Sequence, residues 1–282
     1  MKDIKICYTN ALNLGDAINP IIIERVFDSN PVHSNEWNCD ITGIGSGLRR
    51  FFVLKESKPM QYNLKRIVMN TLNRKPLIIW SAGFLATPSD NEMPIRPNLK
   101  VASVRGALSK QHIEKIIGTD LDCSVGDAGI LASKLLQHKR IEKKYRLGII
   151  PHRKEKDAPL VRDLQLLFPD SVIIDIEPDD PIKGLEEIAQ CENVLSSSLH
   201  GLIFADSFRI PNKHIIISDK LSGDGFKFDD YYSAYSMKDK PIDLRKGLDF
   251  GLTEIRSEYA ITDEQVNRLQ NDCIVAFHKY LT

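Results

Sequence analysis

The sequence predicts an α/β fold in which crossover helices join parallel strands, divided into two domains with a cleft between them. Strand-like apolar runs alternate with helix-like runs along the chain, a pattern typical of parallel sheets covered by helices on both faces. The alternation is interrupted by a charged stretch, HKRIEKKYR (138–146), that lacks apolar residues able to pack on both sides. We therefore place one domain at 1–140, a second at 145–260, and a C-terminal helix at 261–282 that is free to pack back on the first domain.

In the first half, four segments are strand-like and three are helix-like. Strands are expected at 4–9, 39–46, 75–85 and 99–106. Helices are expected at 14–27, 107–118 and, after a turn, within 123–140. Pro20 is expected to break or start the first helix, and Gly118 to stop the second.

The second half repeats the alternation. Strands are expected at 145–152, 171–178, 193–198 and 213–218. Helices are expected at 157–168, 180–191, 199–208 and 262–281. The last helix is amphipathic and starts at an N-cap residue, Thr262 or Asp263.

Composition predicts a globular, cytoplasmic protein. Hydrophobic residues make up 42% and charged residues 27% of the chain, which is ordinary for soluble domains. No apolar run is long enough to span a membrane, and the N-terminus lacks a secretory h-region. The five cysteines are scattered without CxxC spacing, which favours free thiols over a disulfide framework or a zinc site. Histidine spacing likewise indicates no metal cluster.

Charge is balanced overall but not between the halves. The formal net charge is zero, so we expect no nucleic-acid partner. The first 140 residues carry a net charge of +6 and the remainder −6. This asymmetry fits attraction across a cleft or an anionic ligand on the first half, and chance surface charge explains it equally well.

Ligands of open α/β sheets bind beyond the carboxyl ends of the strands, so the turns after strands are the candidate site. The turn NALNLGDA contributes Asn13, Gly15 and Asp16 to this candidate site. The alternative is that Gly15 only permits a tight turn and Asp16 only caps a helix. The loop GIGSGL offers Gly45 and Ser46, whose backbone N–H groups could approach an anion.

Three further turns carry charged side chains. Arg105 in SVRGALS follows a strand and opens a helix, where a guanidinium can bind a carboxylate or phosphate. Asp127 in SVGDAGIL is a catalyst candidate or a helix cap. His152 and Arg153 follow a strand as a basic pair, which could equally be a solvated loop.

The segment SSSLHG (196–201) places His200 in the first turn of a helix, where the dipole disfavours its charged form and favours an anionic ligand. The neighbouring candidates for the same ligand are Ser197, Ser198, Leu199 and Gly201. Further along the chain, GFKFDDYYSAY contains Lys227 and Tyr231, which are candidates for binding a sugar. The alternative is that this segment is an ordinary helix with a tyrosine face.

These motifs together resemble the polysaccharide pyruvyl transferase family. NLGDA, SVRGALS, SVGDAGIL, IIPH, VLSSSLHGLIFADSFRIPN and KFDDYY occur in the order of the family, and SSSLHG is the most specific. The resemblance implies a GT-B-like fold of two Rossmann-like domains. It implies transfer of the enolpyruvyl group of phosphoenolpyruvate to a sugar of a bacterial surface polysaccharide precursor, with a pyruvate ketal formed, phosphate released and no further cofactor.

The resemblance also suggests roles for the candidates. Arg105 and His200 correspond to the arginine and histidine that bind the donor in the family. We expect His152, Arg153, Ser197, Ser198, Leu199 and Gly201 on the donor side, and Asn13, Gly15, Gly45, Ser46, Lys227 and Tyr231 on the acceptor side. His200 would bind the leaving phosphate or act as the acid, and Asp16 or Asp127 would be the base.

Two other functions stay open. One is a GT-B glycosyltransferase that uses a nucleotide-activated sugar, and the other is a non-catalytic glycan-binding protein. Acceptors of the family are often built on a lipid carrier at the inner face of the membrane. GLRRFFVLK (47–55) could therefore form a peripheral membrane contact. The alternative is that this segment is an ordinary helix or strand with a charged edge.

Overall fold

A computed structural model describes residues 1–9, 12–54 and 64–281. Two five-stranded parallel sheets form its framework, one in each half of the chain. The predicted fold class, α/β with parallel sheets and crossover helices, is confirmed. The GT-B-like placement of the halves and the domain boundaries stay predictions.

The first sheet has the strand order β2-β1-β3-β5-β7. Its half of the chain contains β1 (Asp3–Cys7), α1 (Leu14–Phe27), β2 (Asn30–His33), β3 (Ile41–Thr42), a 3-10 helix (Leu48–Arg50), β4 (Phe52–Leu54), α2 (Leu64–Leu72), β5 (Leu77–Ile79), β6 (Glu92–Pro94), β7 (Leu99–Val101), β8 (Ser103–Val104), α3 (Ala107–Ile117), β9 (Ser124–Val125) and a 3-10 helix (Ala128–Leu136). The predicted strand at 99–106 is thus two short strands, and β8 pairs with β9 outside the main sheet.

The second sheet has the order β11-β10-β12-β13-β14. Its half contains β10 (Leu147–Ile150), α4 (Pro159–Leu167), β11 (Ser171–Ile173), α5 (Pro181–Ala189), β12 (Val194–Ser196), α6 (Leu199–Ser207), β13 (Asn212–Ile216), α7 (Phe226–Ser233), β14 (Ile242–Asp243), a 3-10 helix (Leu244–Lys246), α8 (Leu252–Glu258) and α9 (Asp263–Leu281). Within the described residues, no helix is both long and apolar enough to cross a bilayer.

Helix α1 continues through Pro20 instead of breaking there. Proline has no N–H, so the carbonyl of Asp16 loses its helical partner. The side-chain amide of Asn19 replaces it, donating to that carbonyl at 3.1 Å. The same amide accepts from the backbone N–H of Ile44 at 2.8 Å, so Asn19 ties α1 to the loop after β3.

One buried core runs through both halves. It includes Ile6 and Trp80 from the first half and Ile150 and Leu202 from the second. Helix α9, at the end of the chain, packs on the first half. Phe277 stacks on Phe27 with ring centroids 3.7 Å apart, and the indole N–H of Trp80 donates to the carbonyl of Cys273 at 2.9 Å.

Candidate active site

A cavity of about 320 Å³ opens beyond the carboxyl ends of β1, β3 and β10 and beside the first turn of α6. This is the sheet edge at which ligands of open α/β folds bind. The cavity is lined by Cys7, Tyr8, Thr9, Asn13, Asp16, Thr42, Ile44, Gly45, Ser46, Gly47, Arg50, Leu85, His152, Arg153 and His200. A second cavity of about 410 Å³, lined among others by Lys213, His214 and Asp239, contains none of the predicted site residues.

Seven of the residues predicted from sequence meet at the first cavity. They come from both halves of the chain and are Asn13, Asp16, Gly45, Ser46, His152, Arg153 and His200. Tertiary folding therefore joins turns that are separated by more than 100 residues. Sequence reasoning did not single out Cys7 and Arg50, although the end of β1 and the basic run after GIGSG could have indicated them.

His200 lies in the first turn of α6 and packs against the start of α1. A Cβ atom built on Gly15 would lie 1.9 Å from Nδ1 of His200, so the backbone of Gly15 is in direct contact with the imidazole. On the helix itself the ring stacks on Phe204 at 5.8 Å. Nε2 of His200 is buried and has no hydrogen-bond partner among the described residues. Gly15 is therefore a packing residue that holds the imidazole in place, and the described residues leave the hydrogen-bonding capacity of Nε2 unused.

The histidines of the cavity are neutral at pH 7. Burial, reinforced by the charges of Arg105 and Lys227, lowers the pKa of His200 to about 3. Burial, with Lys227 and Arg153 adding to it, lowers the pKa of His152 to about 4. Burial and the charge of Arg105 also lower the pKa of Lys227, to about 8. Positive charge is thus crowded around two uncharged imidazoles, an environment that stabilises an anion.

The serines before His200 are occupied by structural hydrogen bonds. The hydroxyl of Ser197 donates to the buried carboxylate of Glu155 at 2.7 Å and accepts from the backbone N–H of His152 at 2.9 Å. Ser198 is the N-cap residue of α6 without a side-chain capping bond. Leu199 belongs to the core. A Cβ on Gly201 would lie 2.3 Å from Oγ of Ser196, so this glycine makes room for a serine side chain.

Arg105 lies behind the cavity wall. Its Nε donates to Oδ2 of Asp230 at 2.9 Å, and Nη2 approaches the same oxygen at 2.8 Å, with both side chains fully buried. Nη2 also donates to the carbonyl of Phe84, and Nη1 donates to Oγ of Ser46 at 3.0 Å. Arg105 therefore acts on the cavity through Ser46 and through its charge.

The two candidate carboxylates differ in position. Burial raises the pKa of each to about 6, although Arg50 and Arg153 oppose the rise for Asp16. Asp16 lines the cavity. Asp127 does not, and its Oδ1 instead caps a 3-10 helix by accepting from the backbone N–H of Gly129 at 2.9 Å.

The structure places three predicted acceptor residues outside the cavity wall, namely Gly15, Lys227 and Tyr231. Tyr231 is fully buried, and its hydroxyl donates to Asp206 at 2.6 Å. Because its hydroxyl is bonded in the core, Tyr231 offers no surface to a sugar. Lys227 is partly buried, with Nζ 4.9 Å from the ring centroid of Phe228, and acts on the two histidines through its charge.

Most apolar side chains of the basic, aromatic segment at 47–55 are buried. Leu48, Phe51, Phe52 and Val53 are buried and Leu54 is half-buried, while Lys55 lies outside the described residues. A membrane surface would therefore meet the charged edge of this segment together with part of Leu54.

Within the described ranges, no three His, Cys, Asp or Glu side chains lie close enough together to hold a metal ion.

One protein family model matches most of this chain. The family model described as polysaccharide pyruvyl transferase matches residues 2–218. An uncharacterised protein of Acanthamoeba polyphaga mimivirus is 33% identical over 141 residues, covering 48% of this chain and 48% of that protein. The succinoglycan biosynthesis protein ExoV of Rhizobium meliloti is 25% identical over 143 residues, covering 50% of this chain and 42% of that protein.

The matched region thus spans about half the length of these curated relatives. Among solved structures, one described as a UDP-N-acetylglucosamine 2-epimerase from Listeria monocytogenes aligns with a TM-score of 0.46 and 14% identity, over 93% of this chain and 76% of the other.

Proposed function

The chain belongs to the polysaccharide pyruvyl transferase family, and we propose that it transfers the enolpyruvyl group of phosphoenolpyruvate to a sugar of a surface polysaccharide precursor. The product is a pyruvate ketal, and phosphate is released. The strongest support for this proposed activity is the set of side chains that lines the cavity. It combines two neutral histidines, a carboxylate and two arginines, drawn from both halves of the chain.

The donor fits the side of the cavity formed by the second half. Phosphoenolpyruvate carries a phosphate and a carboxylate, and both are stabilised by cations and free N–H groups. Lys227 and Arg153 supply positive charge near His200 and His152. The first turn of α6 adds the positive end of the helix dipole.

His200 is the group that meets the donor. Its Nε2 has no partner among the described residues, and its pKa of about 3 keeps the imidazole neutral at pH 7. An anionic phosphate placed beside it would oppose the charges of Arg105 and Lys227, and so raise the pKa of His200. On this proposal the imidazole acquires its proton when the donor binds, and it then either stabilises the leaving phosphate or protonates the methylene carbon.

Asp16 is the base on the acceptor side. It lines the cavity, whereas Asp127 is used as a helix cap. Its pKa of about 6 is close to the working pH, which is favourable for a general base. Asn13, Gly45 and Ser46 lie on the same wall and would orient the sugar.

The reaction then has three steps. Protonation of the methylene carbon makes the neighbouring carbon electrophilic. A sugar hydroxyl attacks that carbon as Asp16 accepts its proton, forming the first C–O bond. The C–O bond to phosphate breaks with its electron pair going to the phosphate, and a second hydroxyl adds to the same carbon to close the ketal as its proton passes to the released phosphate. Acid–base assistance of this kind contributes on the order of 10²–10⁴-fold.

Thermal unfolding with and without phosphoenolpyruvate tests the donor without an acceptor. At about 100 times the dissociation constant, the donor should add roughly 2.7 kcal/mol and raise the melting temperature by roughly 5–10 °C. His200→Ala should abolish the shift, and substitution of the exposed His138 should leave it intact. Stabilisation by a nucleotide and not by phosphoenolpyruvate would indicate a glycosyltransferase instead.

A further inference from the structure

The thiol of Cys7 lies in the wall of the candidate active site, next to a guanidinium. Cys7 is the last residue of β1 and pairs with Thr42 of β3. Its side chain is mostly buried but lines the 320 Å³ cavity. The cavity is therefore the route by which a small molecule reaches this sulfur.

Arg50 is held in place over Cys7. Its Nη1 donates to Sγ of Cys7 at 3.4 Å, and its Nη2 donates to Oγ1 of Thr9 at 2.7 Å. No carboxylate of the described residues forms an ion pair with Arg50. The charge of Arg50 acts on the Asp16 carboxylate as well, and the direct hydrogen bond from Arg50 to Sγ allows it to stabilise negative charge on the sulfur.

A second thiol, that of Cys39, also favours ionisation of Cys7. Cys39, in the turn before β3, is a neighbour of Cys7 that lowers its pKa, and its own Sγ donates to the carbonyl of Glu36 at 3.6 Å. The neighbouring Cys39 thiol, together with the charge and the hydrogen bond of Arg50, outweighs burial and the carboxylate of Glu36, and the pKa of Cys7 is lowered to about 7. The pKa values of the other four thiols are raised instead. Burial raises the pKa of Cys123 to about 11 and those of Cys191 and Cys273 to about 12, and the contact with Cys7 raises that of Cys39.

We propose that Cys7 is a reactive thiol, modified by electrophiles and hydroperoxides that enter the cavity, with Arg50 stabilising its thiolate. With an alkyl halide, the sulfur forms a bond to carbon and the halide leaves with the electron pair. With a hydroperoxide, the sulfur forms a bond to oxygen as the O–O bond breaks. Cys7 is then oxidised to a sulfenic acid as the peroxide is reduced, and the released hydroxide or alkoxide takes up a proton to become water or an alcohol. Either adduct places new atoms in the cavity and removes the sulfur as a partner of Arg50.

We expect reagents to select Cys7 because a larger fraction of this thiol is ionised at pH 7. At pH 7 a thiol of pKa 7 is about half ionised, whereas one of pKa 11 is ionised to about one part in 10⁴. Lower pKa also weakens nucleophilicity, which leaves a net advantage on the order of 10²-fold. Cys123 is the internal control, because it is the least buried of the five cysteines. If exposure alone decided reactivity, Cys123 would react before Cys7.

The test is site-resolved alkylation of the folded protein with iodoacetamide, followed by peptide mass spectrometry. At pH 7 Cys7 should be labelled at least about tenfold faster than Cys123. Arg50→Gln should slow labelling of Cys7 by about tenfold or more and shift its pH midpoint upward. Arg49→Gln is the matched control, because Arg49 is largely exposed and pairs with Glu92 at 3.7 Å. It should leave the rate unchanged.

Hydrogen peroxide provides a second measurement that needs no variant. Prior exposure to peroxide should block alkylation of Cys7, and dithiothreitol should restore it. The proposal is wrong if Cys123 is labelled first, if Arg50→Gln and Arg49→Gln behave alike, or if peroxide leaves alkylation of Cys7 unchanged. None of these outcomes depends on the identity of the donor or acceptor.

Discussion

Arg105 and Asp230 form an ion pair in which neither side chain reaches solvent, although 125 residues separate them in the chain. Asp230 also accepts from the backbone N–H and the hydroxyl of Ser109, each at 2.7 Å. The pair thus joins the start of α3 to α7. Because these helices belong to opposite halves of the chain, the pair helps to set how the two walls of the cavity meet.

Removing one partner of this pair should be costly. Arg105→Met leaves the Asp230 carboxylate buried without its cation, which is expected to cost about 3–5 kcal/mol of unfolding free energy. Urea denaturation measures this directly. Lys115→Met removes an exposed pair with Asp90 and should leave the urea midpoint nearly unchanged. Equal losses in the two variants would contradict the structural role of the buried pair.

Gly15→Ala should displace the imidazole of His200. The added Cβ would lie 1.9 Å from Nδ1, so the ring must move or the helices must separate, at a cost of about 1–3 kcal/mol. We expect loss of the thermal shift caused by phosphoenolpyruvate, in a protein that still folds. Gly251→Ala, where nothing lies within 4 Å of the new atom, is the control. Normal donor binding by Gly15→Ala would show that the position of His200 is not critical.

Lys227 should contribute to donor binding through its charge. It is a source of the lowered pKa values of both His152 and His200, so it lies close to both rings. Lys227→Met should weaken phosphoenolpyruvate binding by about 10-fold, because losing a unit charge roughly 10 Å from an anion costs about 1.7 kcal/mol at an effective dielectric of about 20. Calorimetric titration measures the affinity. Lys238→Met, at the other cavity, should bind normally, and an equal loss in both variants would argue for a non-specific charge effect.

The buried neutral His200 should make the protein sensitive to acid. Its pKa lies below the value in the unfolded chain, so the folded state binds fewer protons. Its contribution is fully present above about pH 6.5 and is lost as the pH falls towards 3. Between pH 7 and pH 5 this amounts to about 1–2 kcal/mol.

His200→Gln should lose less stability than the wild type over that interval, as measured by urea unfolding at both pH values. Substitution of the exposed His138 by glutamine should reproduce the wild-type pH dependence. If His200→Gln also follows the wild type, the imidazole is not held neutral in the folded protein.

Local sequence patterns predicted most helix bounds, although the helices α2 and α8 were not predicted. The segment predicted at 14–27 matches the bounds of α1, but the break expected near Pro20 was wrong; the strand–turn–helix pattern at 193–208 located β12, α6 and His200. Such features depend on neighbours within one or two turns, where a period of 3.6 or 2 is visible in the sequence. The short strands β2, β4, β6 and β14 were missed because two to four residues carry too little periodicity.

Only the tertiary structure decided which side chains meet. The sequence predicted that Arg105 and Tyr231 both contact a ligand. In the structure Arg105 pairs with Asp230, and the hydroxyl of Tyr231 donates to Asp206. Asp16 and Asp127 are alike in sequence, and only the cavity distinguishes them. The sequence determined the parallel α/β framework and the turns that could carry chemistry. Long-range packing decided the rest, because a contact between residues more than 100 positions apart leaves no local pattern to be recognised.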